Sequence, residues 1–172
     1  DSGSFQKRML FCRHTTGNTY FYTMRPIWLL ILSTFLLQVC DAQDPLIRVM
    51  TFNIRFPNQN DGIHYWDHRR PLVASVLRYH APDIIGVQEA HRRQLTEITT
   101  DLPEYQWYGV CRTDGSADPQ PDGEFSAILY RHARFQRLDG GTFWLSETPD
   151  IAGSKSWDAA LPRIVTWGRF RD

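Results

Sequence analysis

Two polar side chains offer chemistry before anything else in the sequence does. Asn53 interrupts the apolar stretch "VMTFNIR" (Val49 to Arg55), and Glu89 closes "DIIGVQE" (Asp83 to Glu89). A carboxylate at the end of a strand is a natural ligand for a hard divalent cation, which wants oxygen and often keeps several waters. An amide beside it can donate to a phosphate or hold a metal-bound water. Ligands of α/β sheets bind where strands end. A structural reading competes, in which Glu89 caps the next helix and Asn53 bonds to a turn. Buried without a partner, the amide would cost a few kcal/mol, so backbone, water, a side chain or a ligand must meet it.

The elements that would position these groups can be read from periodicity. Leu46 to Arg55 reads as a strand, and Val49, Thr51, Phe52 and Ile54 suit a buried sheet. Phe56 to His68 reads as a polar loop. Pro71 fits the first turn of a helix, with Leu72, Val73, Val76 and Leu77 at helical spacing and Ala81-Pro82 as its stop. Asp83 to Glu89 is a short apolar strand. Leu95, Ile98 and Leu102 mark a second helix, closed by Pro103. Gln106–Arg112, Phe125–Arg131, Gly141–Leu145 and Arg163–Arg169 read as further strands, rich in aromatic and branched residues. Strands alternating with helices give way to consecutive strands, which predicts an α/β fold with a mixed sheet and helices on its face.

The 172 residues suit one domain with a core of its own. The beginning of the chain reads differently. Met24 and Arg25 precede a 13-residue apolar run, Ile27 to Val39, which ends in Cys40-Asp41-Ala42. A charged start, a short apolar middle and a small residue before the cut make a secretory signal, and the run is short for a membrane span, which needs about 20 residues. We therefore expect residues 1–23 to be an upstream or non-native segment, 24–42 a signal peptide, and 43–172 the mature portion, starting at Gln43. The product would be exported, periplasmic or extracellular, monomeric, and without a transmembrane anchor after cleavage. Residues 1–42 hold four of the 19 basic and two of the 19 acidic side chains, leaving 15 and 17. Near-neutral charge without a polybasic block does not favour nucleic acid held by charge alone. Fourteen of those 15 basic residues are arginines, suited to bidentate phosphate contacts and equally to surface pairs. Of the three cysteines Cys111 alone remains, which excludes an internal disulfide in the mature portion.

Four ordered motifs, "RVMTFNIR", "PDIIGVQEA", "GEFSAILYR" and "PRIVTWGRF", resemble the endonuclease/exonuclease/phosphatase superfamily, with its deoxyribonuclease I-like fold. The resemblance runs from about Ile47 to the last residue, and "GTFWLSETPD" with "GSKSWDAALPR" look like secreted bacterial members. It implies the N-terminal part of a four-layer α/β sandwich, two mixed sheets packed together with helices outside. It also implies a Mg²⁺- or Mn²⁺-dependent phosphoesterase acting on phosphodiester or phosphomonoester bonds. Glu89 matches the family's metal-binding glutamate, and Asn53 the asparagine beside metal and scissile phosphate. Glu124 matches an acid that orients a catalytic histidine, a role suited to a carboxylate. Arg163 matches a phosphate-contacting arginine. His91 departs from the arginine that some nucleases of the family carry there. Trp66, Trp157 and Asp158 fall in loops where a substrate rim would form, with packing the competing reading for either tryptophan.

The family's later motifs, a histidine in "NTH", the pair in "GDFN" and a closing "SDH", do not occur in this sequence. The expectation is a fragment, inactive alone, of a longer hydrolase whose substrate class the sequence leaves open. The alternative is a secreted non-catalytic module holding carbohydrate or lipid on aromatic loops around Trp144 and Trp157.

Overall fold

The structure, a computed structural model, describes residues 46–172. The upstream segment, the signal-like run and the expected mature start at Gln43 lie outside the described residues.

Strand β1 (Val49–Asn53) pairs in parallel with β2 (Ile84–His91), and β2 pairs antiparallel with β4 (Glu124–Arg131), whose other neighbour is β3 (Tyr105–Tyr108). The order β1-β2-β4-β3 makes a mixed sheet. Strands β5 (Gln136–Trp144) and β6 (Ile164–Arg171) form a second, antiparallel sheet. Helices α1 (Trp66–His80) and α2 (Arg92–Asp101) cover one face of the first sheet. Their Val73, Leu77, Leu95 and Ile98 join Ile85, Val87, Phe125, Ala127 and Leu129 in a single core. Gly86, Ser126 and Ile128 face the other way and meet Ile164 and Thr166 of β6 across a narrow cleft. The described residues thus contain three layers, helices on sheet on sheet, of the α/β sandwich.

Three local expectations are corrected. The first concerns β1, which is not buried throughout. With a period of two, Met50 and Phe52 pack against the core, while Val49, Thr51 and Asn53 are exposed on the opposite face, Val49 by 72%. The second concerns α1, which starts five residues before Pro71. Trp66, fully buried at its first position, donates its indole N–H to Glu97 Oε2 at 2.6 Å and fixes the start there. Pro71 lies on the solvent side, where its missing N–H does no damage to the packed face. Ahead of the helix, the expected loop contains a 3₁₀ turn, Gln59–His64, opened by the Asn58 side chain accepting from the Asn60 N–H. Of the anticipated apolar stripe Leu72 and Val76 stay exposed and Val73 and Leu77 are buried, and Ala74, outside that stripe, is buried with them. The stop at Ala81 is as read: its backbone is left-handed and its N–H reaches Leu77 O.

The third correction is the end of β2. The strand runs two residues beyond Glu89, because Glu89 sits in a bulge, and pairing resumes at Ala90 with Phe125 and His91 with Glu124.

Polar ties lock the helices together. Arg70 grips both oxygens of Asp101 at 2.7 Å, and Arg93 donates to Glu97 and Asp67. No helix among the described residues is long and apolar enough to cross a membrane.

Candidate active site

Asn53 is the last residue of β1, opposite Gln88 of β2. The chain then turns sharply at Arg55, which has a left-handed φ of 56°. That turn is held from several sides. Arg69 donates to the carbonyls of Ile54 and Arg55, buried Gln94 of α2 donates to the Arg55 carbonyl at 2.9 Å, and Arg55 itself grips Asp61. The hydrogen bonds from Arg55 hold the Asp61 carboxyl below the usual carboxylate range. Within this frame the Arg55 N–H donates to Asn53 Oδ1 at 2.8 Å, which leaves the amide nitrogen to point away, toward Glu89. Nδ2 donates to Glu89 Oε1 at 2.8 Å. Asn53 is therefore exposed and satisfied on both ends of its amide by a turn and a carboxylate.

Glu89 is held in an uncommon backbone state. Its φ is 56°, in the left-handed region that costs a non-glycine residue about 1 kcal/mol or more. The bulge that requires this conformation turns the carboxylate toward Asn53. Among the described residues Glu89 has no ion-pair partner.

Glu124 opens β4. Both its oxygens are engaged by Arg112, with Nη1 to Oε2 at 2.8 Å and Nη2 to Oε1 at 2.9 Å, and both side chains are largely buried. Arg112 is further fixed through its backbone: its N–H donates to Glu124 O, and its carbonyl accepts the Trp144 indole N–H at 2.7 Å. Arg163 precedes β6. It is exposed, and its guanidinium makes no hydrogen bond or ion pair among the described residues.

All four side chains expected from the sequence, Asn53, Glu89, Glu124 and Arg163, line one cavity of about 340 Å³, together with Arg112 and Pro162. Arg112 was missed. Its signal lies in pairing, since the bridge between Cys111 and Phe125 sets Arg112 beside Glu124, and that register becomes readable only with the hairpin in hand.

The remaining candidates separate. His91 caps α2, its N–H meeting Gln94 Oε1 at 2.9 Å, and its Nδ1 lies 3.1 Å from Asp122. Trp66 is core. Trp144 is 5% exposed and spends its N–H on Arg112, so it has no face to offer a sugar, contrary to the binding-module reading. Trp157 is 69% exposed, and it and Asp158 both have left-handed backbones.

Among the described residues no cluster of three or more His, Cys, Asp or Glu converges on a cation site. Glu124 is paired with Arg112, and the Asn53 oxygen accepts one hydrogen bond from the Arg55 N–H, which leaves it a second lone pair. Glu89 is the carboxylate of the cavity that could hold a cation.

Comparison with known proteins gives one pattern. The profile of the Endonuclease/Exonuclease/phosphatase family matches residues 50–168. An endonuclease/exonuclease/phosphatase from Bacteroides vulgatus superimposes with a TM-score of 0.69 at 40% identity, over 73% of this chain and 47% of that one. A mannosyl-6-phosphatase from Bacteroides thetaiotaomicron superimposes with a TM-score of 0.68 at 43% identity, over 73% of this chain and 46% of that one. An uncharacterised protein of Acanthamoeba polyphaga mimivirus is 27% identical over 139 residues, 72% of this chain and 48% of that protein. The chain thus spans under half the length of each of these.

Proposed function

The chain belongs to the endonuclease/exonuclease/phosphatase family, and on that premise we propose that it forms part of an exported, Mg²⁺- or Mn²⁺-dependent phosphoric ester hydrolase, monomeric, whose domain begins near Gln43. The observation that supports this reading best is the cavity. It brings a carboxylate without an ion-pair partner, Glu89, together with a guanidinium that is likewise unengaged among the described residues, Arg163. A phosphate ester needs both, a cation-holding oxygen and a positive group for its own oxygens.

In this reading Glu89 holds the cation. A bound Mg²⁺ or Mn²⁺ supplies Lewis-acid stabilisation of the phosphoryl oxygens and a water of lowered pKa. Asn53 keeps the Glu89 carboxylate in one orientation through its 2.8 Å bond. Arg163 receives the phosphate oxygens, with its five donors suited to bidentate contact. Arg112 neutralises Glu124, and each Glu124 oxygen retains a second lone pair. Those lone pairs are what a histidine from elsewhere in the whole protein would use. The likeness to a mannosyl-6-phosphatase supports a phosphate monoester over a long nucleic acid, in keeping with the near-neutral charge.

The test is release of phosphate or alcohol from p-nitrophenyl phosphate and bis-p-nitrophenyl phosphate by the full-length protein, with Mg²⁺ or Mn²⁺ and with EDTA. We expect metal-dependent turnover that EDTA abolishes. Turnover indifferent to EDTA would overturn the proposal.

A further inference from the structure

β1 and β2 stop pairing just where the site begins. The last backbone rung runs from the Ile54 N–H to Gln88 O at 3.2 Å, and Glu89 then bulges out of register. Past that rung the two segments are joined by side chains. Asn53 Nδ2 meets Glu89 Oε1, the Phe56 ring stacks on His91 with centroids 6.2 Å apart, and Gln94 of α2 bridges both segments. Gln94 Nε2 donates to the Arg55 carbonyl, and Gln94 Oε1 accepts the His91 N–H, both at 2.9 Å.

The amide is engaged symmetrically. Arg55 lies two residues after Asn53 and turns its own N–H onto Asn53 Oδ1, and His91 lies two residues after Glu89. The bonds close a ring, from Gln94 to Arg55, Asn53 and Glu89, then along the chain to His91 and back to Gln94. Gln94 is the buried corner of that ring, at 0% exposure, whereas Asn53 is exposed. A glutamine at the third position of a helix also caps it, by reaching back to the N–H of the residue before the helix. That role accounts for the oxygen only. The nitrogen is committed to a carbonyl 39 residues away, to which Arg69 gives a longer bond at 3.2 Å. Glutamate serves a cap as well as glutamine does, so the cap alone does not call for an amide.

We infer that Gln94 is a positioning residue for the cation-holding pair. It fixes the turn after β1 against the Glu89 bulge, so that Asn53 holds the Glu89 carboxylate in one orientation. Partners outside the ligands of a metal orient those ligands and set the affinity of the site. Asn53 touches Glu89 directly, and Gln94 stands two bonds further out, acting through Arg55 and Asn53. The inference rests on the metal-dependent hydrolase reading above and extends its site into α2.

The experiment is calorimetric titration of Mn²⁺ into the full-length protein at about pH 8, well above the ordinary range of a carboxyl. Gln94→Glu keeps the cap but sets a carboxylate against the Arg55 carbonyl, and Gln94→Met keeps the volume and loses both bonds. Each should weaken Mn²⁺ binding about tenfold, the usual scale for a partner outside the ligands. Ile98→Ala, buried on the same helix but outside the ring, should lower the unfolding midpoint and leave Mn²⁺ affinity unchanged when measured below that midpoint. On an Asn53→Ala background Gln94→Met should weaken binding clearly less than on the unaltered chain, because the path through Asn53 is already cut. Unchanged affinity in Gln94→Glu would make the residue a helix cap and overturn the inference. A loss equalled by Ile98→Ala, or full additivity with Asn53→Ala, would overturn it too. In each of those cases Mn²⁺ binding and EDTA-sensitive turnover by the unaltered protein would leave the hydrolase reading standing. No Mn²⁺ bound by the unaltered protein would overturn both.

Discussion

The Asn53 amide nitrogen and Glu89 Oε1 are 2.8 Å apart, across the ends of two parallel strands, and the other end of the same amide is anchored by the Arg55 N–H. Glu89 is therefore oriented by a group that is itself oriented. Replacing Asn53 with Ala frees the carboxylate without touching the core, since the side chain is exposed. We expect kcat/KM of the full-length hydrolase to fall by about 10- to 100-fold, the usual cost of losing an outer hydrogen bond to a metal ligand, with the thermal midpoint nearly unchanged.

Glu89→Gln removes the negative charge but preserves shape. Metal-dependent activity should fall by about 100-fold or more if cation electrostatics are the main term. Titrating Mg²⁺ from micromolar to millimolar levels checks it: a fully active variant with an unchanged metal requirement refutes the assignment.

The Arg112–Glu124 pair is largely buried, so removing one partner strands the other. Arg112→Met should cost about 1–3 kcal/mol in urea unfolding, more than Glu124→Gln, which leaves hydrogen-bonding capacity behind. The double variant should be less destabilised than the sum of the two singles. Strict additivity would show that the pair is not coupled.

Acid should loosen the helix layer in a defined direction. Hydrogen bonds from Arg70 hold the Asp101 carboxyl below its ordinary value. A depressed carboxyl contributes stability that is complete above its unfolded value, about 3.9, and is lost as pH falls through the lower folded value. Melting curves of Asp101→Asn and the unaltered chain should therefore be separated at neutral pH, start to approach each other below about pH 4 and meet only below the depressed folded value. A gap that persists to the lowest pH would exclude the charge as its cause.

Export has its own test. The run from Met24 to Ala42 implies an exported product beginning at or near Gln43. N-terminal sequencing of that product decides it, and an intact Met24–Val39 stretch on the mature protein would refute the signal.

What the sequence made legible was the set of residues rather than their ties. Periodicity located the strands and helices, with ends up to a helical turn or more away. The helix starts at Trp66 and not Pro71, the strand at Gln136 and not Gly141, and the strand read to Arg112 ends at Tyr108. The motifs pointed to four side chains that meet at one cavity. Three things stayed hidden for physical reasons. The start of α1 is decided by Trp66 burying against Glu97, a contact 31 residues apart that overrides the preference of proline for a first turn. The bulge at Glu89 is a matter of register against β4, which one strand alone does not carry. Arg112 sits between a buried cysteine and a polar turn, in a stretch that reads as an unremarkable strand end. The exposure of Val49 and Asn53 depends on how far β5 and β6 extend over the first sheet, and hydrophobicity is blind to that.

The left-handed backbone at Glu89 has a consequence for variation. Glycine at this position would shed roughly 1 kcal/mol of conformational cost, whereas valine or isoleucine would add to it. In a library of variants sorted separately for abundance in cells and for turnover, position 89 should thus split the two scores. Glycine would be among the more abundant and inactive, β-branched residues scarce and inactive, and glutamate alone would trade yield for chemistry. Selection for stability by itself would drift this position away from glutamate, so keeping it there requires that the reaction be under selection as well.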